Sequence, residues 1–209
     1  MSMKLLRRLT LAALSIGILA TTATAAPETW DIDTSHSNIG FTVRHNVVSK
    51  VNGRFAGFSG ALVLDPAKLE ETTIDVTIDA ASIDTDNDKR DGHLKTPDFF
   101  DVTKFPSITF RSTGVKPGDK ESGVVTGDLT INGITKPVEL MYTVLGFTEA
   151  WGGQRGGFEA TTSINRKDFN VNWNKVLDNG GLVVSDKVDI TIALETVKAK
   201  PEEAKPAGK

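Results

Sequence analysis

The chain has 209 residues, a formal net charge of −3, ten phenylalanines, three tryptophans and no cysteine. That length suits one domain with a sizeable core. The missing cysteines exclude a disulfide framework, a thiol nucleophile and a thiolate metal site, and the acidic balance argues against a nucleic acid as partner.

The first residues carry Lys4, Arg7 and Arg8, then an apolar run over 9–20, then Ala23-Thr24-Ala25 before Ala26. This is the layout of a secretory signal peptide cleaved after Ala25. Its apolar core is shorter than the roughly 20 residues a membrane-spanning helix needs, and it predicts export to the periplasm. The expected organisation is a signal peptide at 1–25, one barrel domain at 26–197 and a disordered tail at 198–209, where Pro, Lys, Glu and Ala leave no apolar surface to bury.

From there apolar residues recur with period two, in runs separated by Gly, Asp, Asn and Pro, so the chain reads as all-β. Ile39, Phe41 and Val43 mark a first strand, and Phe58, Leu62 and Leu64 a second. Over 73–80, Ile74, Val76 and Ile78 face one way while Thr73, Asp75, Thr77 and Asp79 face the other, as one dry and one wet face require. The polar stretch 84–100 reads as a loop with short helical turns. Ile108 and Phe110 lie on a fourth strand and Leu129 and Ile131 on a fifth. Asn132-Gly133, a strong hairpin signal, joins the fifth to a sixth holding Val138, Leu140, Tyr142 and Val144. Phe158, Ala160, Thr162 and Ile164 form a seventh; the Asn- and Gly-rich loop 166–185 with Trp173 follows; and Val188, Ile190, Ile192 and Leu194 form an eighth. Eight strands with short connections favour an eight-stranded antiparallel up-and-down β-barrel, with a sandwich as the second architecture.

A barrel of eight strands holds either its own side chains or one slender ligand. Small inward residues, Ala80, Ala160 and Thr162, point to an unfilled lumen. Its wall would comprise Phe41, Val43, Phe58, Val76, Ile78, Ile108, Phe110, Leu140, Tyr142, Phe158 and Ile190, with Trp173 and the loop rings Phe99, Phe100, Phe105 and Phe169 covering one end. Polar and basic side chains nominated for the mouth are Arg90, His93 and Arg166, then His36 and His45. The competing reading is that Arg90–Asp91 and Arg166–Asp168 only make local ion pairs that order the loops. The three histidines lack the close helical spacing of zinc sites, and no Gly-x-Ser-x-Gly elbow frames a serine, so neither metal site nor catalytic residue is nominated.

A set of motifs carries a resemblance. It comprises Trp30-x-Ile32-Asp33-x-x-His36-Ser37, Gly53-Arg54-Phe55-x-x-Phe58-x-Gly60, Arg90-Asp91-x-His93-Leu94, Asp98-Phe99-Phe100, Phe105-Pro106, Gly127-x-Leu129-Thr130-Ile131-x-Gly133, Thr135-x-Pro137-Val138, Arg166-x-Asp168-Phe169 and Val184-Ser185-Asp186-x-Val188. From Trp30 to about Glu195 the sequence resembles the YceI-like family. The resemblance implies a lipocalin-like barrel, exported to the periplasm, whose partner is a long-chain isoprenoid or acyl lipid such as a polyisoprenoid or isoprenoid quinone. It implies no cofactor and no established catalysis. Transient membrane contact and a homodimer stay open as further partners, and an enzyme acting on the lipid within the lumen, or a solid-cored structural module, as other function classes. Asn170 departs from the family, which commonly has glycine there.

Overall fold

The computed structural model describes residues 27–119, 121–176 and 181–200. Both the expected signal peptide and all but the first residues of the expected tail lie outside that range. Among the described residues there are eleven strands, β1 (Glu28–Ile32), β2 (Asn38–His45), β3 (Ser49–Phe55), β4 (Phe58–Leu64), β5 (Thr73–Asp79), β6 (Ile83–Asp84), β7 (Ser107–Pro117), β8 (Ser122–Ile131), β9 (Ile134–Ala150), β10 (Gly153–Asn165) and β11 (Val184–Lys198), with one α-helix, α1 (Asp88–Leu94), and three short 3-10 turns.

They make eight staves. The long β11 pairs with β2 along its first part and with β1 at its end, where Trp30 faces Lys198. β3 and β4 pair in turn with β2 and β1. So β1 with β2 is one interrupted stave, and β3 with β4 another. β5, β7, β8, β9, β10 and β11 follow in sequence order, every neighbour antiparallel, and the β1–β11 pairing closes the ring. Closure leaves no open edge along the main wall. β11 runs to Lys198, in register with Trp30, and the Ala199 amide donates to the Thr29 carbonyl at 2.8 Å.

Alternation decides which residues point in. On β5, Val76 and Ile78 are buried while Thr73, Asp75, Thr77 and Asp79 are exposed. The β8–β9 turn is built as its sequence requires, with Asn132 at φ 50° and Gly133 at φ 71°; such a turn favours Asn-Gly because both residues sit in the left-handed region. The Phe105 ring lies under Gly133, where an added Cβ would come within 2.8 Å of it.

The two ends differ. At the upper end gather the β2–β3 tip, α1, the β8–β9 turn and the loop after β10. At the foot lie the connection 65–72 and the β9–β10 turn, together with Trp30, only 1% exposed, packed edge-on to Phe147 at 5.5 Å.

Candidate functional site

The barrel encloses a cavity of about 390 Å³, within the range of small-molecule sites. Phe41, Val43, Val76, Ile78, Ile108 and Phe110 line it on one side, and Leu140, Tyr142, Phe158, Ile190 and Trp173 on the other and at the top. Phe58 is a correction. It is the first residue of β4, just past the bend at Ala56-Gly57, and it packs against the core without reaching the cavity wall. Phe55, on the other side of that bend, is buried and takes the inward place. Ala160 and Thr162 lie on the wall, whereas Ala80 sits buried in the 3-10 turn Ala80–Ser82, off it.

The hollow has a cause in cross-strand register. Gly53 pairs with Phe41 and Gly123 with Tyr142, and Gly127 lies one step diagonal to the Phe110–Leu129 pair. A Cβ on Gly53 would come within 2.3 Å of the Phe41 ring, on Gly127 within 2.4 Å of Phe110, and on Gly123 within 2.7 Å of Tyr142. Each ring therefore lies flat over a glycine of the next strand instead of crossing the lumen. Large inward aromatics and an empty centre coexist for this reason.

The upper end carries an aromatic cluster. His93 meets Phe99 and Trp173 edge-on at 5.1 and 5.2 Å, and its Nε2 pairs with the Asp98 carboxylate at 2.8 Å. Phe99, Phe100, Phe169 and Trp173 all line the cavity, as their loop positions suggested; Phe105 instead underlies Gly133. His45 follows Val43 on the inward face of β2, and its imidazole has no hydrogen-bond partner among the described residues.

Both arginines line the cavity but are already occupied. Arg90 donates to the Thr85 hydroxyl at 2.7 Å and the Thr85 carbonyl at 2.6 Å, while Asp91 accepts from the Thr85 amide and hydroxyl. Arg166, only 5% exposed, donates to the carbonyls of Ser185, Val171 and Trp173 at 2.7–2.9 Å, with the Asp186 carboxylate at 3.4 Å. Burial pulls its guanidinium below the ordinary value, and Asp186 opposes that. Both side chains order their loops, through Thr85 and Asp186 rather than through Asp91 and Asp168, and both also line the cavity. Asn170 stands at φ 58° as the cap of the 3-10 turn Arg166–Phe169. Asparagine tolerates the left-handed region almost as glycine does, so the family's turn survives its glycine's replacement.

His36 is a second correction: it lies outside the barrel. Its Nδ1 pairs with Asp33 at 3.1 Å, in a cluster where Arg155 bridges Asp33 and Glu195. The His36 hydrogen bond is the main reason the Asp33 carboxyl sits below the usual carboxylate range. Asp33, His36 and Glu195 offer ligand atoms within 4.8 Å of one another, but the Arg155 guanidinium supplies both carboxylates with their counter-charge.

Sequence reasoning missed lining residues toward the foot: Leu69 and Thr72, in the connection before β5, and Val115 and Val125, which face each other near the β7–β8 turn. The hydroxyls of Thr72 and Tyr142 are buried there without a partner. Burial, with the Glu70 charge nearby, pushes the Tyr142 phenol up.

Comparison with known proteins agrees with this geometry. The YceI-like domain model matches residues 30–196. A UPF0312 protein of Pseudomonas fluorescens is 41% identical over 200 residues, covering 91% of this chain and 98% of that protein. The crystal structure of Burkholderia cenocepacia BcnA superposes with a TM-score of 0.69 at 29% identity, covering 79% of this chain and 99% of that one. A polyisoprenoid binding domain from Saccharophagus degradans, implicated in plant cell wall breakdown, shares the fold at a TM-score of 0.59 and 17% identity, over 81% of this chain and 98% of its own. The matched span runs from the first barrel strand to the last, and the chain belongs to the YceI-like family.

Proposed function

We propose that the protein is a periplasmic carrier that shelters one long-chain apolar lipid, of polyisoprenoid, isoprenoid-quinone or related acyl type, inside the barrel. The observation that carries this reading is the apolar cavity of about 390 Å³ inside a closed barrel, which a solid-cored module would lack. The polyisoprenoid-binding neighbour of the same fold favours an isoprenoid ligand. The export signal in the first 25 residues favours the periplasm.

Burying each methylene contributes roughly 0.8 kcal/mol, so a tail of about 15 carbons offers about 12 kcal/mol gross. Association and ordering cost roughly 4–15 kcal/mol, so chain length and fit decide affinity. The tail points to the foot and the head group sits at the upper end, against His45 and His93, because Arg166 there is spent on backbone carbonyls and Arg90 is tied to Thr85. A quinone or amide head suits those imidazoles better than a pyrophosphate, which would need bare arginines. The second reading, a lipid-modifying enzyme, would use the same two histidines as acid or base.

Titration with polyprenols and quinones of graded length tests the proposal. Affinity should rise with length, and Phe110→Asp should abolish uptake while the barrel stays folded. Unchanged uptake by that variant would place the ligand elsewhere. Turnover of a bound lipid that disappears in His45→Ala or His93→Ala would favour the enzyme.

A further inference from the structure

Beside the upper end of the lumen the β2–β3 tip exposes Val48 at 87% and Val47 at 57%, and Val176 stands out at 73%. These are one surface: the Asn46 amide donates to the Val183 carbonyl at 2.9 Å, and the Val183 amide donates to the Lys175 carbonyl at 3.0 Å. Folding gives no reason for valine at 47. Its backbone sits at φ 65°, a region that favours glycine or asparagine and penalises a β-branched side chain, and the side chain meets solvent. Cations flank the tip. Arg44 and Lys50 face each other across the β2–β3 ladder, and Lys175 adjoins Val176. None of the three has a carboxylate within ion-pair distance among the described residues. Asp189, on the strand beside β2, is paired with Lys187 at 2.7 Å.

The foot offers a contrast. Trp151, Met141 and Leu145 are exposed there too, but Glu139, Glu149 and Glu159 share those strands, and Arg155 lies over the Trp151 ring at 4.8 Å. An apolar tip flanked by cations fits an anionic bilayer surface, whereas apolar residues set among glutamates do not.

We infer that the β2–β3 tip, with Val176, is a docking surface for anionic phospholipid membranes, set beside the upper end of the lumen. The inference rests on the carrier reading for its purpose. Val47 and Val48 enter the headgroup boundary while Arg44, Lys50 and Lys175 meet lipid phosphates. Docking then brings His45, one residue before the tip and on the cavity wall, close to the membrane from which a lipid would be drawn.

Sedimentation with vesicles that contain no isoprenoid tests docking separately from carriage. Wild-type protein should bind vesicles of phosphatidylethanolamine with phosphatidylglycerol, more weakly at high salt and more weakly still to phosphatidylcholine alone. Val48→Asp should bind about tenfold less or worse, and Lys50→Glu with Lys175→Glu should remove the salt dependence. Val48→Trp should show a blue-shifted emission on anionic vesicles. Absence of wild-type binding, equal binding by Val48→Asp, or an unshifted Val48→Trp spectrum would each overturn the inference. So would sedimentation velocity showing a dimer that Val48→Asp converts to monomer, because the tip would then serve a second copy of the chain. Uptake of solanesol from detergent micelles should be unchanged in the tip variants. Should wild type take up no solanesol from micelles while still binding vesicles, the carrier reading fails and the docking surface stands.

Discussion

Gly53→Ala separates lumen shape from stability. The new Cβ would stand 2.3 Å from the Phe41 Cζ, 2.8 Å from its Cε1 and 2.8 Å from a Thr85 methyl. All three neighbours are side-chain atoms, so the ring can yield, and the lumen is the space open to it. Overpacking usually costs about 1–3 kcal/mol; with a void to move into, the low end is expected. A ring swung into the lumen would displace about three methylenes of bound tail, or about 2.4 kcal/mol, a loss of affinity of roughly fiftyfold. Fluorescence titration with a polyprenol, beside thermal unfolding without ligand, measures the two effects. Gly127→Ala is the contrast: its Cβ also meets the Arg111 backbone carbonyl at 2.6 Å, so the strand itself must move and stability should fall with affinity. Wild-type affinity in Gly53→Ala would refute the claim that flat-lying rings keep the lumen open.

Tyr142→Phe removes a buried hydroxyl that has no partner and should raise stability by about 1 kcal/mol with uptake intact; weakened uptake would put a polar ligand group at the foot, against the orientation proposed. Arg166→Met strands three carbonyls and Asp186 and should cost about 3–5 kcal/mol in chemical denaturation; a near-neutral result would free that arginine for ligand contact. Asp33 has a lowered pKa in the folded state, so its contribution is fully present above the ordinary value of 3.8 and is lost as pH falls through the lowered one. Asp33→Asn should therefore be less stable than wild type at neutral pH and converge with it in acid, as pH-dependent denaturation would show; a constant difference would assign the effect to something other than ionisation.

Much of the barrel was legible because its signals are local. The alternation of β5 and the Asn132-Gly133 turn each lie within a few residues, and the eight-stranded barrel followed from such units, although β1, β3 and β6 were not read as strands. What depends on partners far along the chain was not legible. The break between β3 and β4 puts Phe55 rather than Phe58 on the cavity, and no period-two pattern marks that bend. Arg166 finds Asp186 twenty residues on, although Asp168 lies nearer in sequence. His36 follows a strand end, where alternation no longer dictates facing, and turns outward to Asp33. The glycine–aromatic pairs that hold the lumen open are set by register between strands, which single-strand patterning does not encode.

Mass spectrometry of an organic extract of the protein, purified from cells that make it, tests the central claim most directly. The account predicts an apolar isoprenoid or acyl lipid near one per folded barrel, released from wild type and missing from Phe110→Asp. Folded wild-type protein that yields no such molecule would contradict it.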